Sequence, residues 1–324
     1  MSLTAIIVAI IGLAAFETIS SLDNAVINAE VLSTMKNQKA KKFFVTWGMF
    51  FAIFVVRGLL PFLIVYAANT DLGLVGAFRA IISSDTSASK AIEDSAPYLM
   101  LSGGMFLILL FAYWLFVEEK NFGLPHEPLF LKVGQIWFYA VTALLLLGIF
   151  LLTKSRFDAA TALPMMLAST VGFAAFFVTN GFKENAEDAE AAMKSGASDM
   201  SDWAKVLFLE VIDLTFSIDG VVGAFAFTTS VPLILIGNGL GAIVVRQLTL
   251  GNVERIEHYA YLKNGAMYSI GLLSVVMILE AFGAHIPFWV SPLMTISCIA
   301  FHFWLSIRKN RLDAEMVSVS SITA

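Results

Sequence analysis

Charge is scarce in this chain. Only 14% of its 324 residues are Asp, Glu, Lys or Arg, where soluble domains carry roughly 25%. Cysteine is rarer still. Cys298 stands alone, so no disulfide forms within the chain, and a lone thiol in an apolar stretch reads as packing rather than thiolate metal chemistry. Histidine is limited to His126, His258, His285 and His302, none at metal-ligand spacing from another, which gives each a surface or interfacial role. No phosphate-binding glycine-lysine loop is present, which argues against ATP-driven work by this chain alone. The net charge of −5 offers no basic footprint for nucleic acid. No basic residue precedes the first hydrophobic run, so that run reads as a retained span rather than a cleaved leader.

What remains is apolar: 58% of the residues, with a mean hydropathy of +0.82. The reading is an all-α polytopic membrane protein, with room for roughly eight to ten spans of about 20 residues. Nine fit the hydropathy, at 3–31, 43–68, 96–117, 133–153, 159–181, 203–228, 231–250, 264–283 and 287–307. Residues 69–95 read as a polar connection, and the segment 183–205 as an acidic surface helix able to meet a cytoplasmic partner. With the first loop placed inside, 14 of the 20 basic residues fall on that side; Arg79, Lys90, Lys154 and Arg156 fall opposite, and Arg57 and Arg246 lie within spans. The positive-inside rule then puts the N-terminus outside and the C-terminus in the cytoplasm. Trp47, Trp114, Trp203 and Trp289 sit at span ends, where an aromatic belt is expected.

Against this background two stretches stand out. One is Phe16-Glu17-Thr18-Ile19-Ser20-Ser21-Leu22-Asp23-Asn24, inside the first hydrophobic run. The other is Glu210-Val211-Ile212-Asp213-Leu214-Thr215-Phe216-Ser217-Ile218-Asp219-Gly220. Aligning Glu17 with Asp213 also aligns Ser21 with Ser217, Asp23 with Asp219 and Val26 with Val222. The second and seventh spans echo each other too: Gly48 precedes Arg57, and Gly237 precedes Arg246, by the same nine residues. Spans one to three and six to eight therefore read as an inverted repeat of three helices plus extra helices. Residues 1–117 form the first copy, 118–202 two inserted spans and the acidic segment, 203–283 the second copy, and 284–324 the last span and tail.

A carboxylate at bilayer depth costs roughly 2.5–3.5 kcal/mol on insertion scales, so intramembrane acids point to ion paths, proton relays or metal ligands. The bland alternative is that they cap helix breaks or bond to neighbouring helices. Six residues on a continuous helix place Glu17 and Asp23 about 120° apart. A break near Ser20–Asn24 brings them closer and releases carbonyls. Glu17, Ser21, Asn24 and Asn28 share one stripe; Asp213, Ser217 and Gly220 share the matching one. Together the halves offer carboxylates and amide oxygens, a hard-oxygen set suited to Mg²⁺, Ca²⁺ or Mn²⁺. Such a site takes no permanent cofactor; the cation is cargo. Arg57 and Arg246 are candidates to neutralise the acids, or else snorkel to the interface. Ser21, Ser217, Asn28 and Glu280 are accessory candidates, and Glu210 reads as interfacial.

At these motifs the sequence resembles the TerC family, within the LysE/TerC transporter superfamily of bacterial inner-membrane proteins. The likeness rests on Ser21-Leu22-Asp23-Asn24, on the run from Glu210 to Asp219, and on Arg57 in the second span. It implies a metal-ion exporter with manganese as its substrate and a link to tellurium resistance. It also implies a site of Glu17, Asp23, Asn24, Asp213 and Asp219. Gly220 departs from the pattern, standing where the first copy has Asn24. Other readings are an exporter of an organic cation or amino acid, a membrane scaffold, and an intramembrane aspartyl hydrolase. The last lacks the Gly-x-Gly expected before its aspartate, and a non-enzyme is the expectation.

Overall fold

The computed structural model describes residues 2–48, 50–51, 58–59, 62–63, 66, 73–82, 86–119, 124–194, 200–251 and 259–323. They contain helices and no strand. In chain order these are α1 (Leu3–Ser20), α2 (Leu22–Thr34), α3 (Gln38–Phe43) running into a π-helical turn at Phe44–Gly48, and α4 (Gly73–Ile82). After them come α5 (Thr86–Phe116), α6 (Glu127–Arg156), α7 (Ala159–Lys194), α8 (Asp202–Ala224), α9 (Val231–Gly251), α10 (Leu262–Ala281) and α11 (Val290–Thr323). Six of these, α1, α5, α6, α7, α10 and α11, contain stretches long and apolar enough to cross a membrane; α9 holds a shorter apolar stretch, Val231–Gln247. Ile136, Leu144 and Leu151 of α6 and Leu163 and Leu167 of α7 face outward. In water such a surface drives association. In a bilayer it is the lipid-facing side, and the fold is that of a polytopic α-helical membrane protein.

Three expectations from the sequence change. The 69–95 connection is helical in its described parts: α4 lies within it, and α5 begins ten residues before the predicted span. The 183–205 segment is not a separate surface helix. Its residues 183–194 continue the fifth span as the end of α7, and 202–205 open α8; the 36 residues of α7 reach about 54 Å, well beyond the roughly 30 Å hydrocarbon core. Met193 is buried with Val31, Leu32, Phe44, Val206 and Leu209, so apolar packing holds this extension down. Trp114 is not a belt residue; it is 1% exposed and packs on Phe111 and Tyr268, whereas Trp47, Trp203 and Trp289 are exposed. The second span, with Arg57, lies almost wholly outside the described residues.

Glycines set the closest helix contacts. Gly237 and Gly241 of α9 form a Gly-x-x-x-Gly step facing α1. A Cβ on Gly241 would meet Ala14 O at 2.7 Å and Glu17 Cβ at 2.6 Å, and one on Gly237 would collide with Leu13. α5 and α10 form the central pair, with Gly104 against Ile278 and the Ser274 carbonyl and Gly271 against Phe111. The first loop lies beside the start of α8. Asp202 accepts hydrogen bonds from the Asn37 N–H at 2.6 Å and the Lys36 N–H at 2.9 Å. The Asn37 bond foremost holds its carboxyl below the usual carboxylate range. Elsewhere, buried Glu127 latches α6 onto α10, accepting from Asn264 Nδ2 and Tyr268 Oη, each at 2.9 Å. His126 and His302, scattered in sequence, meet on either side of that tyrosine.

Candidate functional site

The first motif breaks where its serines predict. Ser21 separates α1 from α2 at φ −95° and ψ 8°. The break is slight, because Ser21 N–H still bonds Glu17 O at 3.1 Å and Ala25 N–H bonds Ser21 O at 3.0 Å. Those carbonyls are not released, contrary to the expectation of a wide interruption. The second motif does not break at all, since α8 runs continuously through it.

Glu17 lies in the last turn of α1 at 1% exposure. Ser21 Oγ donates to its Oε1 at 2.9 Å. Its stem lies on Gly241 of α9, and a Cβ on Gly220 of α8 would sit 2.5 Å from its Oε2. Two glycines from the other half thus seat this carboxylate. Asp213, 4% exposed, is held from the first half. Asn24 Nδ2 donates to its Oδ1, and Asn28 Nδ2 donates to the same atom at 3.2 Å. Both asparagines spend their N–H on the acid. Their own Oδ1 atoms are buried and accept no hydrogen bond among the described residues.

These contacts are reciprocal. The alignment that equates Glu17 with Asp213 equates Asn24 with Gly220. Glu17 meets Gly220, and Asp213 meets Asn24. Neighbouring contacts keep the order: Phe16 packs on Gly223, and Gly12 on Phe227. As numbers rise through α1 and α2, their partners' numbers fall through α8, so the two motifs run antiparallel.

Asp219 lies on another side of α8. Its Oδ2 pairs with the Lys183 ammonium from α7, and its Oδ1 is buried with no hydrogen-bond partner among the described residues. A cavity of about 180 Å³ adjoins the pair, bounded by Ser20, Asn180, Lys183, Glu184, Asp219 and Lys263 among others. Glu210, expected at the interface, is half-buried against Gly48, and neither of its carboxylate oxygens has a hydrogen-bond partner among the described residues.

The other candidates are placed less centrally. Ser217 Oγ donates to the Asp213 backbone carbonyl, not to a carboxylate. Arg246, on α9, has a buried Nε without a hydrogen-bond partner among the described residues. Glu280 sits in the last turn of α10, whereas the α10 residues at the cavity are Lys263, Ala266, Met267 and Ile270; the structure does not bring it to the site. The Asp23 side chain and all of Arg57 lie outside the described residues. Among the described residues no three His, Cys, Asp or Glu side chains group closely enough to hold a metal. The donor set is mixed: single carboxylates supplemented by amide oxygens. Lys183 was missed because it opens a run of acids, and only the helical continuity of α7 aims it inward.

This constellation of buried acids in apolar helices belongs to an integral membrane protein of the multi-helix class. Residues 22–313 match the family described as "Protein of unknown function (DUF475)", and the chain belongs to that family. It is 33% identical over 98 residues to the uncharacterized membrane protein YceF of Bacillus subtilis, covering 30% of this chain and 38% of that relative. It is also 33% identical over 112 residues to an uncharacterized membrane protein of Rickettsia felis, covering 33% and 36%. The matches thus span under two fifths of each relative's length. No solved structure matches the chain.

Proposed function

We propose that this protein is a secondary transporter that exports a divalent cation across the bacterial inner membrane, with manganese favoured and calcium or magnesium as alternatives. One observation carries the reading. Two motifs of the same spacing interlock reciprocally, and at the interlock Asn24 and Asn28 each give an N–H to Asp213 while their own buried oxygens accept no hydrogen bond among the described residues. Buried acceptors that lack donors are costly. A hard cation relieves that cost, and hard cations prefer this all-oxygen chemistry. Glu17, Asp213 and Asp219 supply the charge, with Asp23 the fourth acid of the pattern. Asn24 and Asn28 orient Asp213, and Ser21 orients Glu17. A carboxylate that gains a proton loses its hold on the ion, which gives a route to exchange.

The likeness to the TerC family points the same way and brings the link to tellurium resistance. The domain boundaries of the inverted repeat, the outside N-terminus and the cytoplasmic C-terminus belong to the same proposal. The cavity beside Asp219, about 180 Å³, suits a hydrated ion better than an organic solute, whose pockets run roughly 300–1,000 Å³. A hydrolytic role draws less support: Asp213 and Asp219 bind different partners, whereas an aspartyl dyad shares one proton between two carboxylates.

The test is metal content. Cells expressing the protein are expected to hold less manganese than cells carrying an empty vector when grown in excess manganese. Glu17→Gln and Asp219→Asn are expected to return content to the vector level at equal membrane abundance. Equal manganese, calcium and magnesium in all four strains would refute export.

A further inference from the structure

Lys183 is a charged side chain that the motifs do not supply and that pairs directly with one of their acids. Its ammonium pairs with Asp219 Oδ2, and each side chain is 12% exposed. A carboxylate at this burial needs a compensating charge, and removing the partner from such a pair leaves a strongly unfavourable lone ion. A lysine suits a temporary partner: it is a point charge on a flexible four-carbon stem, without the planar fork that locks arginine onto carboxylates. The space it would need is beside it. The 180 Å³ cavity is also lined by Glu118 and Glu184. Glu184 is held by Tyr113 Oη at 2.7 Å and Asn180 Nδ2 at 2.8 Å, and Glu118 pairs with Lys263 at 2.6 Å.

We propose that Lys183 is a tethered counter-ion: it holds Asp219 while the site carries no cargo, and an arriving divalent cation displaces its ammonium into the adjoining cavity. The inference rests on the cation reading of the site. An ammonium and a dication on one buried carboxylate repel each other strongly where the dielectric constant is low. Only one of them therefore occupies Asp219 at a time. The displaced ammonium moves toward the glutamates that line the cavity, so charge balance is kept in both states. Lys183 lies on α7 and Asp219 on α8, so the exchange also loosens one helix from the other whenever cargo binds. The competing view is a static ion pair that only fastens these helices.

Two measurements on the purified full-length chain in lipid nanodiscs separate the views. In the first, Lys183 of the wild type is labelled with an amine-acetylating reagent and the peptide is quantified by mass spectrometry. Saturating Mn²⁺ is expected to raise its labelling rate severalfold, and Asp219→Asn is expected to give the high rate with or without Mn²⁺. In the second, Mn²⁺ is titrated into Lys183→Gln, which is expected to bind roughly fivefold or more tightly than wild type, the scale of a typical coupling between two linked sites. Labelling that Mn²⁺ leaves unchanged, in wild-type protein that binds Mn²⁺ saturably, overturns the counter-ion and leaves the cation site standing. Unchanged affinity in folded Lys183→Gln does the same. Absence of saturable Mn²⁺ binding in the wild type overturns the cation reading and this inference with it.

Discussion

Asp213→Asn is expected to abolish cation export while leaving a folded protein. Purified and reconstituted in liposomes, the variant should transport Mn²⁺ at least about a hundredfold more slowly than wild type. That is the scale of roughly 2.7 kcal/mol, modest for removing a buried charge from a site built around it. The fold should survive because the new amide is isosteric. Its oxygen still accepts one N–H from Asn24 or Asn28, both of which now reach Asp213 Oδ1. Asp213→Leu is a harsher change. It leaves two buried amide groups without their acceptor, at roughly 1–3 kcal/mol each, and is expected to lower the melting temperature in detergent as well. If Asp213→Asn transports at the wild-type rate, the acid is structural and the asparagines merely bond to it.

Gly220→Asn carries the second large effect, and here symmetry and structure disagree. The repeat pattern places Asn24 opposite Gly220, so restoring asparagine ought to complete the second motif. The packing says otherwise. A Cβ at Gly220 would stand 2.5 Å from Glu17 Oε2, so the carboxylate has to swing aside while the Glu17 stem stays packed on Gly241. Overpacking of this kind costs about 1–3 kcal/mol, and it would also push the carboxylate off the Ser21 hydroxyl that orients it. The expected result is loss of Mn²⁺ transport and a lower melting temperature. Glu17→Asp, shorter by one methylene, is expected to recover part of the stability when combined with Gly220→Ala. The double-mutant cycle reads that coupling directly, since the two positions touch. Independent, additive effects would show that the glycine does not seat the acid.

Much of this arrangement can be read from residue order, and some cannot. The break at Ser21 follows from Ser20, Ser21 and Asn24, which compete poorly for helix, and the Glu17–Asn28 stripe follows from helical periodicity. The antiparallel contact of the motifs follows from their repetition in the first and sixth predicted spans, whose starts are an odd number of spans apart. Which residue meets which does not follow. An alignment matches like with like, whereas a two-fold relation brings Glu17 to Gly220 and Asp213 to Asn24. Lys183 was hidden by composition: the acids after it mark a solvated segment, and only the unbroken length of α7 turns the lysine toward Asp219. Trp114 shows the reverse. Its place at a span end matches the belt rule, yet the central α5–α10 packing buries it.

The two motifs meet through polar atoms that ordinary core packing would avoid, and on the proposed reading a hard ion gives them a purpose. Equilibrium binding of Mn²⁺ to the purified chain, compared with Glu17→Gln/Asp213→Asn at matched folding, measures that purpose directly. One saturable ion per wild-type chain and none in the double variant is the predicted result; identical curves for the two proteins, or no saturation in either, would contradict it.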